Sequence, residues 1–232
     1  LAPPLTENVL RKGHKMLLAG PSKAGKSFAL IELVIAIAEG RKWLNWDCSQ
    51  GRVLYVNLEL DAASCLHRFK DVYTELGWEA RSLSNIDIWN LRGKSLPMDK
   101  LAPKLIRRAV KQEYTAIIID PIYKVITGDE NSAEQMAHFC NQFDRIATEL
   151  NCSVIYCHHH SKGAQGGKRA IDRASGSGVF GRDADALLDM IELDAEQVGS
   201  SRSAWRIEGT LREYASFRPV NVWFDYPVHR ID

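Results

Sequence analysis

The chain has 232 residues, 45% of them hydrophobic and 25% charged, enough for one sizeable core and ordinary for a soluble globular protein. The net charge of +1 excludes a globally basic nucleic-acid binder, so any such binding must come from a local patch. Five cysteines (Cys48, Cys65, Cys140, Cys152, Cys157) form an odd set without a C-x-x-C pair, which favours reduced thiols in a cytoplasmic protein over a disulfide frame or a zinc site.

Residues 1–13, LAPPLTENVLRKG, carry a Pro pair and no clear period, and are expected as a lead-in packed on the surface. Met16-Leu17-Leu18-Ala19 reads as a short buried strand. Gly20-Pro21-Ser22-Lys23-Ala24-Gly25-Lys26-Ser27 then matches G-x-x-x-x-G-K-[ST], a phosphate-cradling loop. The apolar stretch Phe28 to Ala38 follows as a helix, apolar nearly all round and so buried on two sides. It is too short to span a bilayer and contains Glu32, so no membrane partner is expected. Strand, glycine loop and helix start aim backbone N–H groups at one point, which suits an anion. In that pattern Lys26 reaches the β- and γ-phosphates of a nucleotide and the Ser27 hydroxyl ligates Mg2+. Gly40 closes the helix.

Arg52 to Leu58 is a second strand, placed beside the P-loop strand and ending at Glu59-Leu60-Asp61. Asp61 is an N-cap for a helix to about Leu76, stopped by Gly77. A third strand is expected at Ile86–Leu91 and a basic amphipathic helix over residues 99–113. Ala116-Ile117-Ile118-Ile119-Asp120 is a hydrophobic strand ending in an acid, followed by a polar loop over 121–132. Met136, Cys140, Phe143, Ala147 and Leu150 mark one stripe of a helix from about Ala133 to Leu150. Ser153–Cys157 is a buried strand that runs into His158-His159-His160. Residues 161–178 are rich in Gly, Ser, Lys and Arg. Leu187–Leu193, Ala204–Leu211 and Val220–Phe224 read as strands of an antiparallel extension spanning residues 187–232. One domain over residues 1–232 accommodates all of this.

Strands alternating with helices up to about residue 160 imply a mainly parallel central sheet flanked by helices. Ligands of such sheets sit beyond the carboxyl ends of the strands, where the P-loop, Glu59, Asp120 and the histidines all fall. ATP hydrolysis needs a phosphate cradle, a metal, a group that activates water and a sensor of the γ-phosphate. Asp120 fits the metal role and Glu59 the base. Three successive histidines on a strand point to alternating faces, and no second ligand cluster with metal spacing accompanies them. One of them is therefore expected as a γ-phosphate sensor rather than part of a zinc site.

The stretches GPSKAGKS (20–27), VLYVNLEL (53–60), AIIIDPI (116–122), VIYCHHHSKG (154–163) and RASGSGVFGRDADALL (173–188) resemble the RecA-like P-loop ATPases. Within them they look most like the RepA-type hexameric replicative helicases of plasmids and mobile elements. The resemblance covers most of residues 14–212. It implies that Lys26 and Ser27 are the Walker A lysine and hydroxyl, Glu59 the catalytic glutamate, and Asp120 the Walker B aspartate. His159 falls at the polar sensor position, with His158 one residue away. It also implies a central-channel loop on single-stranded DNA, in which Lys162, Lys168, Arg169 and Arg173 contact phosphates. An arginine supplied by a neighbouring subunit of the ring corresponds best to Arg212 or Arg206, with Arg182 as an outside candidate. The expected activity is ATP hydrolysis coupled to single-stranded nucleic acid. A recombinase-paralogue-like module switched by ATP and a P-loop small-molecule kinase stand as alternatives.

Overall fold

Alternation along the apolar runs decides the architecture, seen in a computed structural model that describes residues 1–94, 96–160, 178–194 and 201–232. In chain order the strands are β1 (Pro4–Thr6), β2 (Leu10–Arg11), β3 (Lys15–Ala19), β4 (Lys42–Trp43), β5 (Trp46–Asp47), β6 (Val53–Asn57), β7 (Ile86–Asn90), β8 (Ala116–Asp120), β9 (Ser153–His158), β10 (Ala186–Leu193), β11 (Ser203–Leu211), β12 (Val220–Asp225) and β13 (Val228–Ile231). The longer helices are α1 (Lys26–Glu39), α2 (Ala62–Leu76), α3 (Met98–Ala109) and α4 (Ala133–Leu150). A nine-stranded sheet runs in the order β13-β12-β11-β10-β3-β9-β8-β6-β7. From β10 to β7 every neighbouring pair is parallel. From β10 outward through β11, β12 and β13 every pair is antiparallel.

Because side chains alternate across a strand, each central strand feeds two cores. Met16 and Leu18 join α1 and α2 on one face, with Tyr55 and Ile118 beside them. Leu17 and Ala19 join α3 and α4 on the other, with Val56 and Ile119. Helix α1 is buried from Phe28 to Ala38, which accounts for its near-uniform apolarity. Helix ends follow local chemistry: Asp61 accepts from the Ser64 N–H at 2.9 Å, and Gly40 and Gly77 close α1 and α2 with φ of 67° each. All five cysteines are buried and free. No helix among the described residues is long and apolar enough to cross a membrane.

Three expectations need correction and one needs extending. β6 is not beside the P-loop strand, because β9 and β8 lie between it and β3. β10 opens the antiparallel extension through β11, but its other edge also joins the parallel sheet, pairing with β3 from Ala186↔Met16 to Asp189↔Ala19. The sheet gains a last strand, β13, that the sequence pattern does not announce. The lead-in is not superficial either: β1 and β2 pair, and Leu5, Val9 and Leu10 are buried in the core. Strands of three and two residues are too short to show a period.

Candidate nucleotide site

Strand register brings the chemistry to one edge. Ala19, the last residue of β3, lies opposite His158 on β9, and Asn57, the last of β6, lies opposite Asp120 on β8. The chain turns that leave these level carboxyl ends enclose a recess of about 460 Å³, within the range of small-molecule sites. Ser22, Lys23, Gly25, Lys26 and Ser27 line it together with Glu59, Asp120, His158 and His159. Four separated stretches singled out in the sequence thus meet in one place.

The P-loop wraps the amino end of α1, which begins at Lys26, two residues earlier than the apolar run suggests. Gly25 adopts φ 71°, a left-handed conformation that side chains disfavour. The Lys26 ammonium donates to the Gly20 carbonyl at 2.5 Å. Burial pushes its pKa down, while the carboxylates of Asp120, at the end of β8, and Glu59, in the turn after β6, oppose the shift. Lys23 reaches across the loop to Glu192 on β10 at 2.6 Å.

Asp120 is 3% exposed and stays solvated by side chains. The Tyr55 hydroxyl donates to one of its oxygens, and the Cys157 thiol donates to the other at 2.9 Å. Burial pushes both donors well above their usual pKa, reinforced by the charge of Asp120 itself. Both therefore keep their protons, and the carboxylate is fixed on the floor of the recess. Glu59 is exposed and comes from a turn built by Asn57, whose Oδ1 accepts the N–H groups of Glu59 and Leu60 at 3.3 and 3.0 Å. The Tyr123 hydroxyl, from the loop after β8, donates to the Glu59 carboxylate at 2.6 Å.

Only His158 lies on β9; the His158 and His159 rings meet at 4.2 Å and both line the recess, while His160 turns away. His158 points inward, is 1% exposed, and has neither ring nitrogen hydrogen-bonded. Burial pushes its pKa down to about 3, so it is neutral. His159 is exposed and lines the recess. His160 turns to buried Asp189 on β10, 3.1 Å away. A ligand cluster does accompany the histidines, against expectation: ligand atoms of Glu130, His158 and His159 lie within 4.8 Å of one another. Glu130 belongs to the polar loop after β8, which spacing in the sequence could not connect to them.

The two arginines separate. Arg206 on β11 pairs with Glu208 at 2.8 Å and lies opposite Ile191, toward the carboxyl edge where the P-loop sits. Arg212 stands at the other edge, donating to Asp185 at 2.9 Å and to the Arg182 carbonyl at 2.8 Å. Neither lines the recess of its own chain. Lys162, Lys168, Arg169 and Arg173 lie outside the described residues. Sequence reasoning missed Tyr55, Tyr123 and Cys157, whose partners are distant in the chain, and Asn57, which shapes the turn that carries Glu59. It also missed Phe28, Arg68 and Phe224, which form the outer wall of the recess, with the Arg68 guanidinium 4.6 Å from the Phe28 ring centre.

A glycine loop that opens a helix at the carboxyl edge of a parallel sheet, with an acid ending a nearby strand, defines a P-loop NTPase fold. The chain belongs to the AAA domain family, a family of P-loop ATPases, whose model matches residues 2–165. The match takes in the P-loop, Glu59, Asp120 and the three histidines, and stops before β10.

Proposed function

We propose that the chain binds ATP with Mg2+ in this recess and hydrolyses it, coupled to binding or translocation on single-stranded nucleic acid within a ring, as in RepA-type replicative helicases. The observation that carries the reading is the convergence of Lys26, Ser27, Glu59, Asp120, His158 and His159 on one recess. The donor set fits a triphosphate: a half-buried ammonium, a helix amino terminus, and in His158 a buried neutral ring whose nitrogens make no hydrogen bond.

In this reading Gly20, Pro21, Ser22, Lys23, Ala24, Gly25, Lys26 and Ser27 cradle the phosphates. The Ser27 hydroxyl and Asp120 hold Mg2+, directly or through water. The bound ion supplies neutralisation of charge on the transferred group. Glu59 takes a proton from the attacking water, and Tyr123 orients its carboxylate. His159 senses the γ-phosphate from the rim, with His158 behind it. Arg206, on the same sheet edge as the P-loop, is the better candidate for an arginine offered to a neighbouring subunit. Lys162, Lys168, Arg169 and Arg173 follow β9 directly in the chain, so a loop on single-stranded nucleic acid there would adjoin the sensor.

The test is the rate of phosphate release with and without single-stranded DNA, on a sample whose mass is measured with an ATP analogue. Stimulated turnover by a ring supports the proposal. Unstimulated turnover that phosphorylates a small acceptor points to a kinase, and a ring that orders without turnover points to an ATP switch.

A further inference from the structure

The hairpin β12–β13 returns to the outside of the P-loop, 205 positions along the chain from Ala24. His229 is buried there and is held through its backbone and both ring nitrogens. Its backbone N–H donates to Glu32 Oε1 at 2.8 Å, its Nδ1 faces Glu32 Oε2 at 2.6 Å, and its Nε2 faces the Ala24 carbonyl at 2.8 Å. A carboxylate and a carbonyl only accept, so both ring nitrogens carry hydrogen and the imidazole is a cation. Burial works against that charge, but the Glu32 carboxylate and the Ala24 carbonyl outweigh it and hold the pKa above the ordinary value. The ring also stacks on Phe224 at 4.5 Å and 17°. Phe224 in turn covers Gly25, where a Cβ would lie 2.6 Å from its ring.

The Ala24–Gly25 peptide is therefore gripped from outside. Its carbonyl is turned to His229, away from the recess. A P-loop binds anions through its N–H groups, and a carbonyl turned inward would oppose phosphate. We propose that His229 is a positioning residue for the nucleotide site: with Glu32 and Phe224 it holds the Ala24–Gly25 peptide in the orientation that accepts phosphate, so His229 sets nucleoside triphosphate affinity without itself touching the nucleotide. The inference rests on reading the recess as a triphosphate site.

The groups facing His229 are few. Glu32 comes from α1, the P-loop offers only a carbonyl, and Lys42 and Arg230 share the adjoining surface recess. Loss of a ring proton removes one of the two donors. Affinity is then highest below the pKa of folded His229 and falls as pH rises through it.

The experiment is equilibrium binding of a fluorescent ATP analogue with Mg2+ to the full chain, from about pH 6 to about pH 9, with melting followed in parallel. His229→Ala should weaken binding on the order of tenfold or more, as expected when a hydrogen bond from a charged donor is removed. His229→Gln keeps a neutral donor toward Ala24; it should restore part of the affinity and abolish the wild-type fall with pH. Equal affinity in folded His229→Ala, or a pH profile in His229→Gln matching the wild type, overturns the positioning role. If His229→Ala does not fold, the Gln variant and the wild-type pH series decide alone. A wild type that does not bind the analogue overturns the triphosphate reading and this inference together, whereas equal binding by wild type and variants removes this one only.

Discussion

The Tyr123 hydroxyl donates to the Glu59 carboxylate at 2.6 Å, tying the loop after β8 to the turn after β6 across the mouth of the recess. This hydrogen bond holds the Tyr123 proton, pushing its pKa up to about 12, so it persists at neutral pH. Glu59→Gln should bind ATP normally and hydrolyse it roughly 10²–10⁴-fold more slowly, the usual worth of a general base. Tyr123→Phe should slow turnover by less and leave affinity unchanged. Single-turnover hydrolysis beside equilibrium binding checks both, and wild-type rates in Glu59→Gln would clear Glu59 of the role.

Asp120 depends on Tyr55 and Cys157 for its solvation inside the sheet. Tyr55→Phe removes a donor from a buried charge and should cost about 1.5–3 kcal/mol of folding stability. Urea unfolding at neutral pH measures it. An undiminished midpoint and slope would mean that Asp120 finds its hydrogen bonds elsewhere.

His158 predicts an acid-linked loss of stability. The folded pKa, about 3, lies below the ordinary value of 6.5, so folding favours the neutral ring. Below about pH 6.5 the unfolded chain takes a proton that the folded chain refuses, and the penalty grows until pH falls to the folded value. Between pH 7 and pH 5 the wild type should lose about 2 kcal/mol more than His158→Gln does. Unfolding curves at the two pH values report the difference, and parallel losses would place the ring in a more polar setting.

On the proposed nucleic-acid loop, replacing Lys168 and Arg169 with Ala should weaken single-stranded DNA binding. The dependence of log affinity on log salt should flatten by about one for each phosphate that the variant no longer neutralises. A salt titration with a labelled oligonucleotide reads the slope directly, and an unaltered slope would move the DNA site to another surface.

Local signals made much of the fold legible in the sequence. Helix α4 spans Ala133–Leu150 as its apolar stripe requires, and Asp61 and Gly77 bound α2 by capping chemistry alone. The P-loop, Glu59 and Asp120 stand out by residue type at strand ends. Strand order was not legible, because β6 and β3 look alike whether or not β8 and β9 lie between them. Tyr123, Cys157 and His229 escape for a related reason: each matters through a partner far away in the chain, and no spacing encodes that. Glu32 reads as an ordinary helix residue until β13, itself unannounced, brings His229 against it.

The central claim is that separated stretches build one nucleotide site around Lys26. Isothermal titration of ATP with Mg2+ into wild type and Lys26→Ala, with folding of both verified by melting, tests it most directly. The account predicts saturable binding at one site per chain in the wild type and none measurable in the variant. Equal affinity in the two would contradict it.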